Sequence, residues 1–204
     1  MRYIDLTHTF KDKMPTYPGD PDTKMNQIAE LNTHGYTDHR VETCLHVGTH
    51  MDAPLHMIEG GKRMSDISPD TYFGRGHLID ARGQKMIDAN LLEGKNIMKG
   101  DIVVIFTGFY KKYGKKEYFE KYPAVTKSFA QKLIDLGVKM LLEDTPSPDR
   151  EPFEVHKMLL RKDILIVENI TDVEKLLKVK KFEIMAIPTK LFADAAPVRV
   201  LAKV

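Results

Sequence analysis

Five short apolar runs limit the folds that this chain can adopt. The runs cover residues 76–81, 102–107, 138–142, 164–167 and 182–187. Each has the length of a strand and is too short to be a core helix. Helical patterns separate several of these runs, and other neighbouring strands follow one another directly. The sequence therefore predicts a mixed α/β fold instead of a regular doubly wound sheet.

The clearest predicted helix starts after Thr126, a residue type that caps helix N-termini, and stops at Gly137, a typical C-cap. A second helix is predicted over residues 154–160. Residues 11–22 contain three prolines and should follow an irregular path. Further strands are predicted over residues 1–8, 25–31, 38–47 and 198–204. With 42% hydrophobic residues and no internal repeat, the 204 residues are expected to form one domain over 1–204.

Charge and composition exclude several classes of partner. The 31 basic and 29 acidic residues leave a net charge of +2, so no nucleic acid is implied. No apolar stretch approaches the ~20 residues needed to span a bilayer, and Asp5 interrupts any secretory signal. Cys44 is the only cysteine, so no internal disulfide can form. These observations predict a cytoplasmic protein with neither a nucleic acid nor a membrane as partner, which leaves a small-molecule substrate to be argued from the motifs.

Residues 46–56 carry the strongest chemical signal. They are His-Val-Gly-Thr-His-Met-Asp-Ala-Pro-Leu-His, which places three of the eight histidines and one carboxylate within a short segment. Neutral imidazoles and a carboxylate form the ligand set expected for Zn²⁺, Mn²⁺ or a similar divalent ion. Such sites usually leave coordination positions open for water. The segment is therefore a candidate catalytic metal site.

The spacing within this segment favours an extended path. His46 and His50 would share one face of a helix, but Gly48 and Pro54 interrupt any helix here. In an extended chain, all even-numbered side chains of 46–56 would project to one side. A single histidine is more often a hydrogen-bonded structural residue than a ligand. Four such groups on one side favour the interpretation as metal ligands instead, because a bound cation satisfies all four together.

The pattern H-x-G-T-H-x-D-A-P-x-H resembles the signature of the cyclase-like metal-dependent hydrolases, the family that contains bacterial kynurenine formamidases and isatin hydrolases. Four further segments are similar to motifs of that family in the same order, and the resemblance covers most of the chain. They are Asp5-Leu6-Thr7, Tyr17-Pro18-Gly19-Asp20, the run Glu143-Asp144-Thr145-Pro146-Ser147-Pro148-Asp149 with His156, and Val167-Glu168-Asn169-Ile170.

The resemblance implies a swivelling β/β/α domain and a set of site residues. It implies that His46, His50 and Asp52 are metal ligands and that His56 is the acid/base residue. It also implies that His156 and Glu168 complete a second metal position. Taken alone, those two would be an exposed helix residue and the polar end of a strand. One or two ions are expected, with Zn²⁺ favoured over Mn²⁺, and a homodimer or homotetramer is implied.

The implied activity is hydrolysis of an aryl formamide or a cyclic amide, an arylformamidase-like reaction at a C–N bond. The kynurenine formamidases of the family typically carry Trp in the loop that here holds Tyr17, and paired histidines where this chain has Val155-His156, and both departures weaken an assignment to N-formylkynurenine. The substrate is therefore left open, and Tyr17 could line a pocket or only anchor its loop. A cyclase or dehydratase that uses the same metal site is an alternative, and a non-catalytic metal-binding or ligand-binding protein is another.

Overall fold

The computed structural model describes residues 2–204. The strands in this range are β1 (Tyr3–Asp5), β2 (Lys24–Ala29), β3 (Asp38–Glu42), β4 (His50–Asp52), β5 (Phe73–Asp80), β6 (Met86–Ile87), β7 (Ile102–Phe106), β8 (Ala124–Val125), β9 (Met140–Glu143), β10 (Leu165–Glu168), β11 (Phe182–Pro188) and β12 (Ala195–Lys203). The α-helices are α1 (Leu31–His34), α2 (Lys116–Glu120), α3 (Lys127–Leu136) and α4 (Glu154–Leu160). Short 3-10 turns also occur, and Pro54–His56 is the one that matters for the site.

Eight strands form one mixed sheet in the order β1-β12-β11-β5-β7-β9-β10-β4. The central strands β5, β7, β9 and β10 are parallel, and the others pair antiparallel. The first three residues of β12 also pair with β4, so the seven strands from β12 to β4 close into a ring. The predicted mixed α/β class is confirmed. Closure of the ring places β4 between β10 and β12. Strand β4 carries part of the 46–56 segment.

The parallel strands are buried on both faces, which explains their continuous apolar sequences. On the inner face of the ring, Val104, Leu142 and Val167 belong to one core cluster. On the outer face, Val103, Leu141 and Ile166 pack in a second cluster with residues of α3 and α4. The helices thus cover the outer face of β7, β9 and β10. The predicted runs over 102–107, 138–142 and 164–167 match these three strands within three residues at either end.

The two predicted helices are present as α3 and α4. The Thr126 side chain accepts a hydrogen bond from the backbone N–H of Phe129 at 3.2 Å, and Gly137 ends the helix in the left-handed region at φ +67°. Both caps match the sequence prediction. Helix α4 covers Glu154–Leu160, the predicted range. Among residues 2–204, no helix is long and apolar enough to cross a membrane.

Several predicted strands differ in extent from the observed ones. The strand predicted over 38–47 ends at Glu42, and β3 is exposed along its whole length instead of half-buried. The reason is that, within residues 2–204, β2 and β3 pair with each other and not with the eight-stranded sheet. The strand predicted over 1–8 shortens to β1 and an isolated bridge between Thr7 and Ile170. The last strand starts three residues early, at Ala195, because its first residues pair with β4.

Candidate metal centre

The register between β4 and β10 positions the centre of the site. His50 pairs with Glu168, and Asp52 pairs with Ile166 one step along the antiparallel ladder. Directly opposite residues of an antiparallel pair point to the same face, and residues two apart on a strand do so as well. The side chains of His50, Asp52 and Glu168 therefore converge on the outer face of the ring. Helix α4 packs over that face and carries His156.

His50, Asp52 and Glu168 form a tight buried group. Nε2 of His50 lies 3.3 Å from Oε2 of Glu168 and 3.5 Å from Oδ1 of Asp52. Each of the three residues is at most 5% exposed. The other ring nitrogen, Nδ1 of His50, donates to the carbonyl oxygen of Gly48 at 2.9 Å. That hydrogen bond fixes the ring orientation and leaves Nε2 facing the two carboxylates.

Three atoms of this group are buried and receive no hydrogen bond from residues 2–204. They are Nε2 of His50 and both carboxylate oxygens of Asp52. Their neighbours are close, but none of these contacts has hydrogen-bond geometry. Burial of unpaired polar atoms costs several kcal/mol, roughly 2–7 for each group, unless something compensates them. A divalent cation would satisfy all three atoms together, so the residues present fit a metal ion.

A second group of possible ligands adjoins the first and shares Asp52. Nδ1 of His46 lies 2.9 Å from Oδ1 of Asp52, and the rings of His46 and His56 are 4.0 Å apart between centroids. One set of potential ligand atoms comes from His46, Asp52 and His56, and another from His50, Asp52 and Glu168. Within each set the atoms lie within 4.8 Å of one another. Asp52 is common to both sets, so its carboxylate would contribute to either one if a metal ion were bound.

His156 faces the same cluster from α4. Its Nδ1 donates to Oδ1 of Asp149 at 2.6 Å, while Nε2 lies 3.1 Å from Oε1 of Glu168 and 3.8 Å from Oδ2 of Asp52. The residue is only 3% exposed, so the interpretation of His156 as an exposed helix residue is wrong. Glu168 is the last residue of its strand, but it is 5% exposed and points into the cluster. Glu168 belongs to one of the two sets of potential ligand atoms and His156, among the described residues, to neither, so the predicted role of His156 as a ligand stays a prediction.

The carboxylates and histidines of the cluster shift one another's pKa values. Burial opposes the charged imidazole, yet Asp52 and Asp194 raise the pKa of His46 to about 10. In the same way, Asp149 and Glu168 overcome burial and raise the pKa of His156 to about 10. Burial raises the pKa of Asp52, but the surrounding histidines outweigh it and hold that pKa well below the usual range. In the metal-free cluster, protonated histidines therefore balance the negative charge of the carboxylates, as a bound cation would.

His56 differs from the other histidines of the cluster. Burial lowers its pKa, and the charges of His46 and His156 lower it further, against the opposing effect of Asp52. The ring is therefore neutral near pH 7 and can accept a proton. Nδ1 of His56 lies 3.3 Å from Oδ2 of Asp194, and the side chain lines the cavity. A neutral imidazole at the wall of a cavity suits general acid/base chemistry.

A cavity of about 260 Å³ opens above the cluster. Aromatic side chains line one part of its wall, and the histidines and carboxylates of the cluster line another. Tyr17 is one of the aromatic residues, so the open question about its loop is answered: the ring lines the cavity. It packs edge to face on Phe119, with ring centroids 5.9 Å apart. The cavity joins a flat apolar surface to a polar reactive centre, which is typical of small-molecule sites.

The predicted extended path over 46–56 is only partly right. The segment is a strand from His50 to Asp52, and there the even-numbered side chains do share a face. Before it, Gly48 adopts the left-handed region at φ +60°, where a Cβ would also clash with the side chain of Met14. After it, Pro54–His56 forms a 3-10 turn. His46 and His56 thus reach the site through turns and not through strand alternation.

Asp194 belongs to the site but was not predicted from the sequence. Its Oδ2 accepts a hydrogen bond from Nε2 of His46 at 2.8 Å and lies beside His56. The residue directly precedes β12, and its carbonyl oxygen accepts a hydrogen bond from the backbone N–H of Ala53. Only the pairing of β12 with β4 brings it to the site, and nothing local in the sequence indicates that pairing. Asp149 lies at the end of the family-like segment over residues 143–149, but no role was predicted for it.

Comparisons with known proteins identify the family of this chain. The sequence profile of a family described as “Putative cyclase” matches residues 4–150. An uncharacterized protein of Methanocaldococcus jannaschii is 32% identical, and the alignment covers 99% of both chains. A kynurenine formamidase of Bacillus cereus is 27% identical, with 98% of this chain and 97% of the relative covered. The chain belongs to the cyclase family, and the resemblance stated from the sequence is confirmed.

Solved structures share the fold. A structure described as a potential metal-dependent hydrolase with cyclase activity has a TM-score of 0.81 and 26% identity, and covers 98% of this chain and 96% of its own. Isatin hydrolase A from Labrenzia aggregata, solved with benzyl benzoate, has a TM-score of 0.88 and 22% identity, and covers 98% and 93%. At that identity, the isatin hydrolase supports the fold alone.

Proposed function

We propose that this protein is a metal-dependent hydrolase that cleaves the C–N bond of an aryl formamide or a cyclic amide. One observation carries the proposal: Nε2 of His50 and both oxygens of Asp52 are buried without hydrogen bonds, beside a cavity with an aromatic wall. The cluster is suited to a cation, and the wall is suited to an aryl group. The kynurenine formamidase of Bacillus cereus supports the substrate class.

The proposed ligands are His46, His50 and Asp52, with Glu168 and His156 for a second ion. The set holds nitrogen and carboxylate oxygen atoms and no thiolate, so Zn²⁺ is the proposed ion and Mn²⁺ the alternative. When bound, a divalent ion would supply Lewis acidity toward a carbonyl oxygen and make water more acidic. The chain's own residues supply the proton transfers and the binding of the substrate.

His56 is the proposed acid/base residue. The neutral ring takes a proton from the attacking water, whose oxygen bonds to the carbonyl carbon of the amide. His56 then returns that proton to the nitrogen as the C–N bond breaks, which yields a carboxylic acid and an amine. Asp194 accepts from Nδ1–H of His56 and so leaves Nε2 as the basic nitrogen. Tyr17 and Phe119 offer the surface on which the aryl group would lie.

The direct test is an assay of the metal-loaded chain on N-formylkynurenine, isatin and formanilide. Hydrolysis of at least one of these amides, lost on chelation and restored by Zn²⁺ or Mn²⁺, is the expected result. Failure to hydrolyse any of the three, or a saturated metal site without bound water, would contradict the proposal. The predicted cytoplasmic location and the predicted homodimer or homotetramer stay predictions.

A cyclase or dehydratase that uses the same residues is the second candidate. It is favoured by the family description and by the related structure described as having cyclase activity. The same cluster could polarise a carbonyl group for ring closure or for loss of water. Product analysis separates the two functions: hydrolysis of an amide adds one water to the substrate, while a dehydratase or a condensing cyclase removes one.

A further inference from the structure

One tight turn brings two different side chains to the rim of the cavity. The backbone N–H of Asp20 donates to the carbonyl oxygen of Tyr17 at 3.0 Å. Pro18 and Gly19 lie between them, and Gly19 has φ +104°. This is the sequence and the conformation of a type II turn, which needs glycine at its third position. Tyr17 and Asp20 both line the cavity, so the turn fixes an aromatic ring and a carboxylate side by side.

The carboxylate of Asp20 is uncompensated. It is exposed, and no hydrogen bond or ion pair reaches its side chain from the part of the chain that the structure describes. The other carboxylates of the cavity, Asp52 and Glu168, lie within 4 Å of histidine nitrogens. Among the described residues that line the cavity, none is Lys or Arg. The carboxylate of Asp20 therefore places a negative charge at the entrance of the cavity. Unlike Asp52 and Glu168, it has no histidine or other described cation beside it.

The neighbours of Asp20 are suited to an aryl group. Tyr17 packs edge to face on Phe119, and Phe153 lines the same cavity. An aryl amide held on these rings, with its carbonyl group toward the cluster, would direct its other substituents away from the cluster. A charged substituent on the ring of the substrate would then lie at the rim, where it could interact with Asp20. At an exposed position such as that of Asp20, the attraction between two opposite charges is modest and is screened by salt.

We propose that Asp20 is a specificity-determining residue that selects aryl amides carrying a cationic group, such as a primary ammonium, and disfavours those carrying a carboxylate. The inference rests on the proposed hydrolase function and names the substrate class for it. The carboxylate attracts the ammonium group and repels an anionic one, while a neutral group of the same size is not distinguished. Tyr17 and Phe119 hold the ring, and Asp20 discriminates the charge.

Three probes of similar shape test this selection. They are 4-formamidobenzylamine, which is cationic at pH 7, neutral 4-formamidobenzyl alcohol and anionic 4-formamidophenylacetate. In each probe, a methylene group separates the variable substituent from the ring, so the reactivity of the amide is nearly constant. The metal-loaded parent is compared with Asp20→Asn, which keeps the shape of the side chain. Asp22→Asn is the matched control, because Asp22 is exposed on the same loop but does not line the cavity.

The expected changes have opposite signs. Asp20→Asn should lower kcat/KM about fivefold for the cationic probe and raise it about fivefold for the anionic probe, as for a partly exposed ion pair. The neutral probe should change by less than about twofold, and the effects should shrink in high salt. Asp22→Asn should leave all three values unchanged. Equal changes for all probes, or none, would overturn the inference and leave the hydrolase proposal intact.

A binding series separates failure of the inference from failure of the proposed function. If no probe is hydrolysed, the hydrolase proposal fails, and titration calorimetry with benzylamine, benzyl alcohol and phenylacetate still measures charge selection at Asp20. Weaker binding of benzylamine and tighter binding of phenylacetate to Asp20→Asn support the inference. Unchanged affinities overturn it. Because each ligand is compared between parent and variant, any direct contact of phenylacetate with the metal cancels.

Discussion

Oδ2 of Asp194 lies 3.3 Å from Nδ1 of His56, a residue 138 positions earlier in the chain. The same oxygen accepts a hydrogen bond from Nε2 of His46 at 2.8 Å. A backbone hydrogen bond from Ala53 to the carbonyl oxygen of Asp194 holds the loop in place. One carboxylate therefore orients a proposed ligand and the proposed acid/base residue. Such outer contacts usually fix the tautomer of a histidine and raise its basicity.

Replacement of Asp194 by Asn tests this orienting role. The amide oxygen can still accept a hydrogen bond but carries no charge, so we expect kcat/KM to fall about 10–100-fold. The pH–rate profile should also shift, because the negative charge that favours protonated His56 and His46 is lost. Asp163→Asn, an exposed residue paired with Lys62, is the control and should keep parental activity. An Asp194→Asn variant with the activity and pH profile of the parent would contradict the role.

The role of His56 is tested by His56→Ala. We expect kcat to fall about 10²–10⁴-fold, which is the usual contribution of a general acid/base residue. The metal content should not change. His56 also lies in one of the two sets of potential ligand atoms, so the metal analysis is decisive. A variant that loses a metal ion together with its activity would show that His56 is a ligand.

The fold was predictable where local sequence determines it. The apolar runs predicted the buried parallel strands correctly because both faces of these strands are covered. Thr126 and Gly137 predicted the ends of α3 correctly because helix caps act within a few residues. The exposed hairpin of β2 and β3 was predicted as half-buried strands, since alternation alone does not show whether anything covers a face.

Residue types in the sequence indicated which side chains could form the candidate site, but not how the chain brings them together. His50 and Asp52 share a face because they lie on a strand, while His46 and His56 arrive through a left-handed glycine and a 3-10 turn. Asp194 reaches the site only through the pairing of β12 with β4, a contact between distant parts of the chain. The burial of His156 likewise depends on how α4 packs on the sheet.

Metal binding should release protons. In the metal-free chain the pKa values of His46 and His156 are raised to about 10, so both rings hold a proton at pH 7 that a metal ion must displace. The apparent affinity for Zn²⁺ should therefore rise with pH between about 6 and 8. Titration calorimetry in two buffers of different ionisation enthalpy measures the release. Binding without proton release, or with an affinity that does not depend on pH, would contradict these protonation states.

His8 should make the fold sensitive to acid. Its ring stacks on Tyr113 at 4.0 Å, Nε2 is buried without a hydrogen bond, and burial lowers its pKa to about 4 although Asp172 opposes the shift. The unfolded chain takes up this proton near pH 6.5, so the stabilisation is present above that pH and is lost as the pH falls toward 4.

The variant His8→Phe keeps the stacking and removes the titration. Between pH 7.5 and 4.5, the free energy of unfolding of the parent should fall by about 2 kcal/mol more than that of the variant. Urea unfolding of both metal-free chains at the two pH values measures this difference. Because both chains contain the same metal cluster, its own acid sensitivity cancels. Equal losses in parent and variant would show that His8 does not titrate as described.

The central claim is that Nε2 of His50 and both carboxylate oxygens of Asp52, which are buried without a hydrogen bond from residues 2–204, are metal ligands. Elemental analysis after loading with Zn²⁺ or Mn²⁺ and dialysis tests it most directly, with near-ultraviolet circular dichroism to show that each variant is folded. We predict one or two ions per chain in the parent, and a clear loss in Asp52→Asn and His50→Gln. A folded parent that retains no metal, or folded variants that retain as much as the parent, would contradict the claim.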